Sequence, residues 1–307
     1  MILTQAERRE AIKQIYKESA PEIPSATYIA KKLDCSKRVV YKDLKALGLP
    51  HKVGAPNGWQ TFRPPDVKDY SQDILTVEGD VMVSGDWHLP FYNSFLAGKL
   101  LKIAQKFGVK KHIINGDFLD QYVFSHYDHR NKELTWSKEL SIAKEVSIPL
   151  FDFFEETYIL PGNHTERLMR LASFQLTFSN VMDLLGIPHD KVKLNEHNYC
   201  ILKNRGEWRI THPKSFSPIV LRVETRLASK YHQNIIGGHG HRLAIGRDES
   251  GKFIVAAGGG MMDPKYFDYI QLSDTVYPTW NPGFFMIYRG HIYGFEEDTD
   301  WELWEKL

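Results

Sequence analysis

Cysteine is nearly absent from this chain: its 307 residues hold two, Cys35 and Cys200. They form no CxxC pair and no dense framework, which excludes a disulfide-rich scaffold and points to a reducing cytoplasm, with a single bridge left open. There is no uncharged apolar run of about 18 residues, the length needed to cross a bilayer, so no membrane partner is expected. The opening residues, Met1 to Glu10, lack the apolar stretch of a secretory signal. Net charge is nearly missing too, at +1, which excludes a chain-wide attraction to nucleic acid. Internal repeats and low-complexity tracts are not found. What remains is an ordinary soluble globular composition, 42% hydrophobic and 25% charged, of a length that suits one large domain plus a small module.

The charge is unevenly placed. Residues 1–50 hold ten Lys/Arg against six Asp/Glu, and the remainder sums to about −3. Residues 5–49 read as helical. Ile12, Ile15 and Tyr16 share one face, Ser25 is the expected cap of a helix from Ala26 to Leu33, and Ser36 that of a helix from Lys37 to Leu47, closed by Gly48 and Pro50. Residues 51–72 are rich in proline and glycine and read as a linker. Beyond it, apolar runs alternate with helical patterns: Val81–Val83, Ser94–Phe107, His112–Ile114, Leu134–Phe154 with a kink expected at Pro149, and Tyr158–Leu160. This rhythm predicts right-handed crossovers and some parallel sheet. Hairpin signals at Asn204–Glu207 and at Arg289–Gly290 make the second half richer in antiparallel strands.

Five short motifs follow the ends of apolar runs: Asp86-Trp87-His88, Gly116-Asp117-Phe118-Leu119-Asp120, Gly162-Asn163-His164, His212 in Thr-His-Pro, and Gly238-His239-Gly240-His241. Together they supply carboxylates, imidazoles and one amide, ligands that suit divalent manganese, iron or zinc. Ligand sites gather at the carboxyl ends of strands in α/β sheets, where loops converge. Two such cations acidify water and neutralise charge growing on a phosphoryl group. A carboxylate at Asp117 offers two oxygens, enough for two ions, and Gly240, between two imidazoles, is read as leaving room for close metal approach.

In this order the motifs resemble those of the calcineurin-like metallophosphoesterase superfamily, over roughly residues 78–295. The resemblance implies an α/β fold, a four-layer αββα sandwich, preceded here by a small all-α module. By position it implies one metal on Asp86, His88 and His241, a second on Asn163, His212 and His239, and Asp117 bridging both. His164 would face the phosphate, protonating or electrostatically stabilising the leaving oxygen, with Asp120 orienting it. Manganese is the expected metal, with iron, zinc and nickel also compatible. Gln121 and Thr165 stand where the superfamily's protein phosphatases have Arg and Glu, which argues against a phosphoprotein substrate.

The segment from Ile29 to Leu44 resembles a helix-turn-helix. Lys37, Arg38, Tyr41, Lys42 and Lys45 would then face outward, toward DNA phosphates or base edges. A protein-contact module or a stabilising appendage remain the other readings of these helices. After the second motif, His126, His129 and Arg130 are candidates for substrate contact, and Tyr122, Phe124 or Tyr127 for stacking, against the alternative of a packed loop. Gly258-Gly259-Gly260 is read as close backbone packing, and Trp301 and Trp304 as docking the tail. The expected organisation is a helix-turn-helix over 1–50, a linker over 51–75 and a catalytic domain over 76–307. The expected function is metal-dependent hydrolysis of DNA phosphodiesters by a cytoplasmic enzyme. A phosphatase or phosphodiesterase for small molecules or nucleotides, and a DNA-binding regulator with a non-catalytic metal core, stand as alternatives.

Overall fold

The structure, a computed structural model, describes residues 3–20, 22–50, 73–126, 131–272 and 280–307. The chain divides into two compact units, Met1–Asp69 and Tyr70–Leu307. Among the described residues no helix is long and apolar enough to cross a membrane, and both cysteines are free.

The first unit holds three helices, α1 (Gln5–Ser19), α2 (Ala26–Lys32) and α3 (Lys37–Leu47). Each begins at a hydroxyl that accepts a backbone N–H of the first turn: Thr4 from Glu7, Ser25 from Tyr28 and Ser36 from Val39. Gly48, at φ +64°, closes α3 in the left-handed conformation. Ile12, Ile15, Ile29, Ala30, Val40 and Leu44 form the core, with Leu33 and Cys35 packed against it. All five proposed DNA-facing side chains are exposed. Asp43, on the same helix as four of the cations, is instead buried at 1% exposure, where its carboxylate accepts from Arg8 Nε at 2.6 Å and Arg9 Nε at 3.0 Å.

The second unit runs β1 (Thr76–Glu78), β2 (Val81–Ser84), α4 (Ser94–Phe107), β3 (Lys111–Asn115), α5 (Trp136–Phe153), β4 (Glu156–Leu160), α6 (Glu166–Leu171), α7 (Phe178–Asp183), β5 (Val192–Leu194), β6 (Tyr199–Lys203), β7 (Glu207–Thr211), α8 (Arg222–Tyr231), β8 (Asn234–Gly237), β9 (Ala244–Arg247), β10 (Ile254–Ala257), α9 (Asp268–Gln271), β11 (Gly283–Tyr288), β12 (His291–Glu296) and α10 (Trp301–Lys306). Two six-stranded sheets result, ordered β12-β11-β2-β3-β4-β5 and β1-β6-β7-β8-β10-β9. The block β2-β3-β4-β5 is parallel, as is β7-β8-β10. The two expected hairpins are the antiparallel pairs β6–β7 and β11–β12. α5 is one helix through Pro149.

Alternation along the strands sorts the layers. Val81, Val83, Ile113, Phe285 and Ile287 of the first sheet face Leu202, Trp208, Ile210, Ile236 and Ala256 of the second. On the first sheet's other face, Met82, Ile114, Ile159 and Met286 pack on α4, α5 and α7 through Leu100, Ile103, Phe151 and Val181. On the second sheet's other face, Ile235 and Val255 pack on Ala228 of α8. Helix, sheet, sheet, helix is the αββα sandwich expected from the sequence. Trp301 and Trp304 pack on Phe295, which docks the tail. The glycine run is a close approach: a Cβ at Gly259 would lie 2.2 Å from the Asn281 carbonyl oxygen.

Candidate metal centre

Five strands deliver the motif residues. Asp86 and His88 follow β2, Asp117 follows β3, Asn163 follows β4, His212 follows β7, and His239 and His241 follow β8. The two sheets are tied together at this edge, where Asn115 Nδ2 donates to the Thr211 carbonyl at 2.9 Å. The backbone there is strained. Asp86, His88, Asp117, His239 and His241 all lie at φ between +41° and +71°, a region that costs non-glycine residues on the order of 1 kcal/mol each. Gly116 permits the crowding: at φ +79°, a Cβ there would sit 2.1 Å from His212 Nδ1. A Cβ at Gly240 would meet nothing within 4 Å beyond its two chain neighbours.

Three clusters of ligand-type atoms form among the described residues: Asp86 with His88 and His241, Asp117 with His212 and His239, and His88 with Asp120 and His164; the first two are those expected to hold the ions. In the first, Asp86 Oδ1 lies 3.1 Å from His241 Nε2 and 3.8 Å from His88 Nε2. In the second, His212 Nε2 lies 3.2 Å from Asp117 Oδ2 and 3.1 Å from Asn163 Oδ1. Hydrogen bonds on the far side orient each ring. His88 Nδ1 is 2.8 Å from Asp120 Oδ1, and His212 Nδ1 donates to the Asn115 carbonyl at 3.0 Å. Both rings therefore turn Nε2 toward the centre. His164 N–H donates to Asp117 Oδ1 at 2.7 Å and fixes that carboxylate.

The donor set passes a simple test of fit for metal cations. His88 Nε2 and Asp117 Oδ2 are buried without a hydrogen-bond partner in the protein, a costly arrangement for polar atoms facing only protein. The electrostatics agree. Burial opposes the charge on Asp86 and Asp117, yet His212 and its neighbouring histidines hold both carboxyls well below the usual range. Burial opposes charge on His88 and His212 as well, but Asp120 and Asp86 pull the first up to about 10, and Asp117 and Asp86 pull the second up to about 9. Buried anions that draw compensating positive charge so strongly describe a cation site.

Asp120 lies beside the first two clusters and takes both His88 Nδ1 and, at 3.0 Å, His164 Nδ1. Two residues here, Arg167 and Glu139, have no role in the sequence reading, and Gln121 takes one it was not given there. Arg167 Nη1 donates to the Asp120 carbonyl at 2.9 Å and Arg167 Nη2 to His164 Nε2 at 3.0 Å. Glu139, fully buried on α5, accepts the backbone N–H groups of Gln121 at 2.6 Å and Tyr122 at 3.0 Å; burial, with Asp120 adding repulsion, pushes its carboxyl up to about 8. Gln121 is itself a buried brace, donating to the Thr165 carbonyl and accepting from Leu168 N–H. The carboxyl-to-motif spacing of Glu139 carries no sequence signal, whereas Arg167, three residues past His164, lies within reach of a helical-spacing argument.

The loop after Asp120 is partly a packed one. Tyr122 packs on Phe91 and Phe124 on Trp136, so neither is a free stacking platform. His126 is exposed; Tyr127, His129 and Arg130 lie outside the described residues.

Residues 8–48 match the family model described as an HTH domain, and the first unit is a helix-turn-helix domain. No curated protein matches the chain. Among solved structures, likeness is found to Vps29 of Chaetomium thermophilum, at 11% identity over 68% of this chain and 79% of that one, TM-score 0.36. The phosphoesterase Yfce of E. coli is similar at 16% identity over 68% and 87%, TM-score 0.35. Vps29 of Entamoeba histolytica complexed with zinc is similar at 12% identity over 71% and 97%, TM-score 0.34. These likenesses are slight, and the reading of the site rests on its own geometry.

Proposed function

We propose that this chain is a dinuclear-metal phosphodiesterase that cleaves DNA, directed by its N-terminal helix-turn-helix over residues 1–50, with the catalytic domain over 76–307. The observation that carries the reading is the convergence of seven ligand-type side chains from five strand ends, with His88 Nε2 and Asp117 Oδ2 buried without a hydrogen bond although His212 Nε2 stands 3.2 Å from the second. Asp86, His88 and His241 would hold one ion, Asn163, His212 and His239 the other, and Asp117 both. Manganese fits this mixed oxygen and nitrogen set. When bound, two such ions supply Lewis acidity toward a phosphoryl oxygen and an acidified water.

The protein's own residues do the positioning. Asp120 and the Asn115 carbonyl anchor Nδ1 of His88 and His212 and turn their Nε2 atoms toward the ions they would hold, where metal binding would displace the second ring proton. The His164 N–H and Gly162 keep Asp117 in one rotamer, and the buried side chain of Gln121 ties the second motif to the third. Gln121 and Thr165 are both engaged inside the protein, Gln121 with the Thr165 carbonyl and Leu168 N–H and the Thr165 hydroxyl with Gly162 N–H, which supports a substrate other than a phosphoprotein. The exposed cations on α3 supply phosphate contacts to DNA, while Val40 and Leu44 anchor that helix to its neighbours.

The test uses the full chain, loaded with Mn²⁺, on bis-p-nitrophenyl phosphate, p-nitrophenyl phosphate, and single- and double-stranded DNA, with and without chelator. Chelator-sensitive cleavage of the diester and of DNA is the expected result. Turnover of the monoester alone would make the chain a phosphatase, and DNA binding without turnover of any ester would make it a regulator.

A further inference from the structure

Arg167 lies in the first turn of α6, three residues past His164, and its guanidinium is shared between two groups of the site. An arginine has no acceptor, so the 3.0 Å contact from Arg167 Nη2 to His164 Nε2 can only be a donation by the arginine. His164 Nε2 is therefore an unprotonated acceptor, and its ring proton sits on Nδ1, 3.0 Å from Asp120 Oδ1. Held this way, His164 has no proton at Nε2 to give to a leaving oxygen. What stands at that end of the ring is a permanent cation.

The charge around Arg167 is left unbalanced. Its carboxylate neighbour, Asp120 Oδ2, is 3.5 Å away, and the other oxygen of Asp120 already serves His88 and His164. Two divalent cations would outweigh the carboxylates of Asp86, Asp117 and Asp120 together before Arg167 is counted. Placing a guanidinium beside such a pair favours a further anion among them. Arg167 also stands on the open side: its side chain is 15% exposed, where those of His88, Asp117 and Asp120 are between 1% and 4%. Its remaining N–H groups form the planar fork that suits a phosphate oxygen pair.

We infer that Arg167 is a phosphate-binding residue of this site, a protein-borne cation that His164 and the Asp120 carbonyl hold in place for a phosphoryl oxygen of the substrate. The inference rests on the phosphoesterase reading of the centre and deepens it. His164 then acts as a positioning residue for Arg167.

The probe is inorganic phosphate, titrated calorimetrically into the Mn²⁺-loaded full chain. Arg167→Met, which keeps the length and removes the charge, should weaken phosphate at least tenfold with manganese content and melting temperature unchanged. KM for bis-p-nitrophenyl phosphate should rise by a similar factor, and added guanidinium should restore part of the loss. Arg167→Lys should keep the charge but lose the fork, falling between wild type and Arg167→Met. If Arg167→Met does not fold, Arg167→Lys is read in its place, and wild-type phosphate affinity in that variant overturns the inference. A lowered melting temperature with unchanged phosphate affinity in Arg167→Met also overturns it, leaving the residue a structural one. Were wild type to bind no phosphate and hydrolyse no ester, the phosphoesterase reading itself would fall; loss confined to the variants supports both.

Discussion

At Gly162 there is no room for a side chain: a Cβ there would lie 2.1 Å from Asp117 Oδ1 and 2.4 Å from its backbone nitrogen. Gly162→Ala should therefore push Asp117 out of register, costing about 1–3 kcal/mol of stability and most of the bound manganese, measured by denaturation and by metal analysis. Asp117→Asn keeps the shape but removes the charge shared by the two clusters expected to hold ions. It should lower metal-dependent esterase activity on the order of a thousandfold while leaving the melting temperature of the metal-free protein nearly unchanged; wild-type hydrolysis of a phosphodiester by this variant would sink the assignment. His112 makes a different prediction, away from the ligands. Its Nε2 is 2.7 Å from Ser84 Oγ, which also accepts from Trp87 Nε1, and burial pushes the imidazole down to about 3 from 6.5. A depressed folded value means that stability is full above pH 6.5 and is lost as pH falls toward 3. The stability advantage of wild type over His112→Gln should thus shrink by about 3 kcal/mol between pH 7 and pH 4, and a constant difference would contradict it. The side chains that converge at the candidate centre were legible in the sequence because five spaced motifs each carried chemistry. Arg167, Glu139 and Asp43 were not, because their roles arise only from which charges the fold buries beside them.

The helices of the first unit were readable from caps and periodicity, since Ser25, Ser36 and Gly48 are local signals that need no tertiary context. The parallel arrangement of β7, β8 and β10 was not, because a strand's partner is chosen by the connections, through α8 from β7 to β8 and through β9 from β8 to β10, and not by its own sequence. The three-residue strands β1 and β5 are shorter than any periodicity can resolve. On α3 the periodic pattern sorts residues into two functional classes that can be separated by experiment. Lys42 and Arg38 are exposed, whereas Asp43 ties α3 to the start of α1 through two arginines. Asp43→Ala should destabilise the helix-turn-helix by about 1–3 kcal/mol, as expected when a buried carboxylate that anchors two partly exposed arginines is removed. Arg38→Ala with Lys42→Ala should move stability by less than about 0.5 kcal/mol, yet weaken DNA binding and lower the salt slope by about one per lost phosphate contact. Circular dichroism melts and fluorescence anisotropy at roughly 50 and 200 mM salt read the two effects separately. DNA affinity that ignores salt would remove α3 from the DNA-binding role.

Every side chain assigned to the metals belongs to the Tyr70–Leu307 unit, and none to Met1–Asp69. Ligand binding stabilises only the cooperative unit that contains the site, so metal and DNA should act on separate transitions. A metal at about one hundred times its dissociation constant adds about 2.7 kcal/mol to the state that binds it. For a unit of this size that amounts to a shift of roughly 5–10 °C. Scanning calorimetry of the full chain should show the transition of the catalytic unit rising by that amount with Mn²⁺ and falling back with chelator. The helix-turn-helix transition should stay in place under both conditions and respond instead to a short DNA duplex at low salt. Aspartate 117 couples the two observations: the Asn variant should lose the metal-linked rise while keeping the DNA-linked one. If manganese left the transition of the Tyr70–Leu307 unit in place, the convergent carboxylates and imidazoles would not be holding it, and the catalytic reading would have to be abandoned.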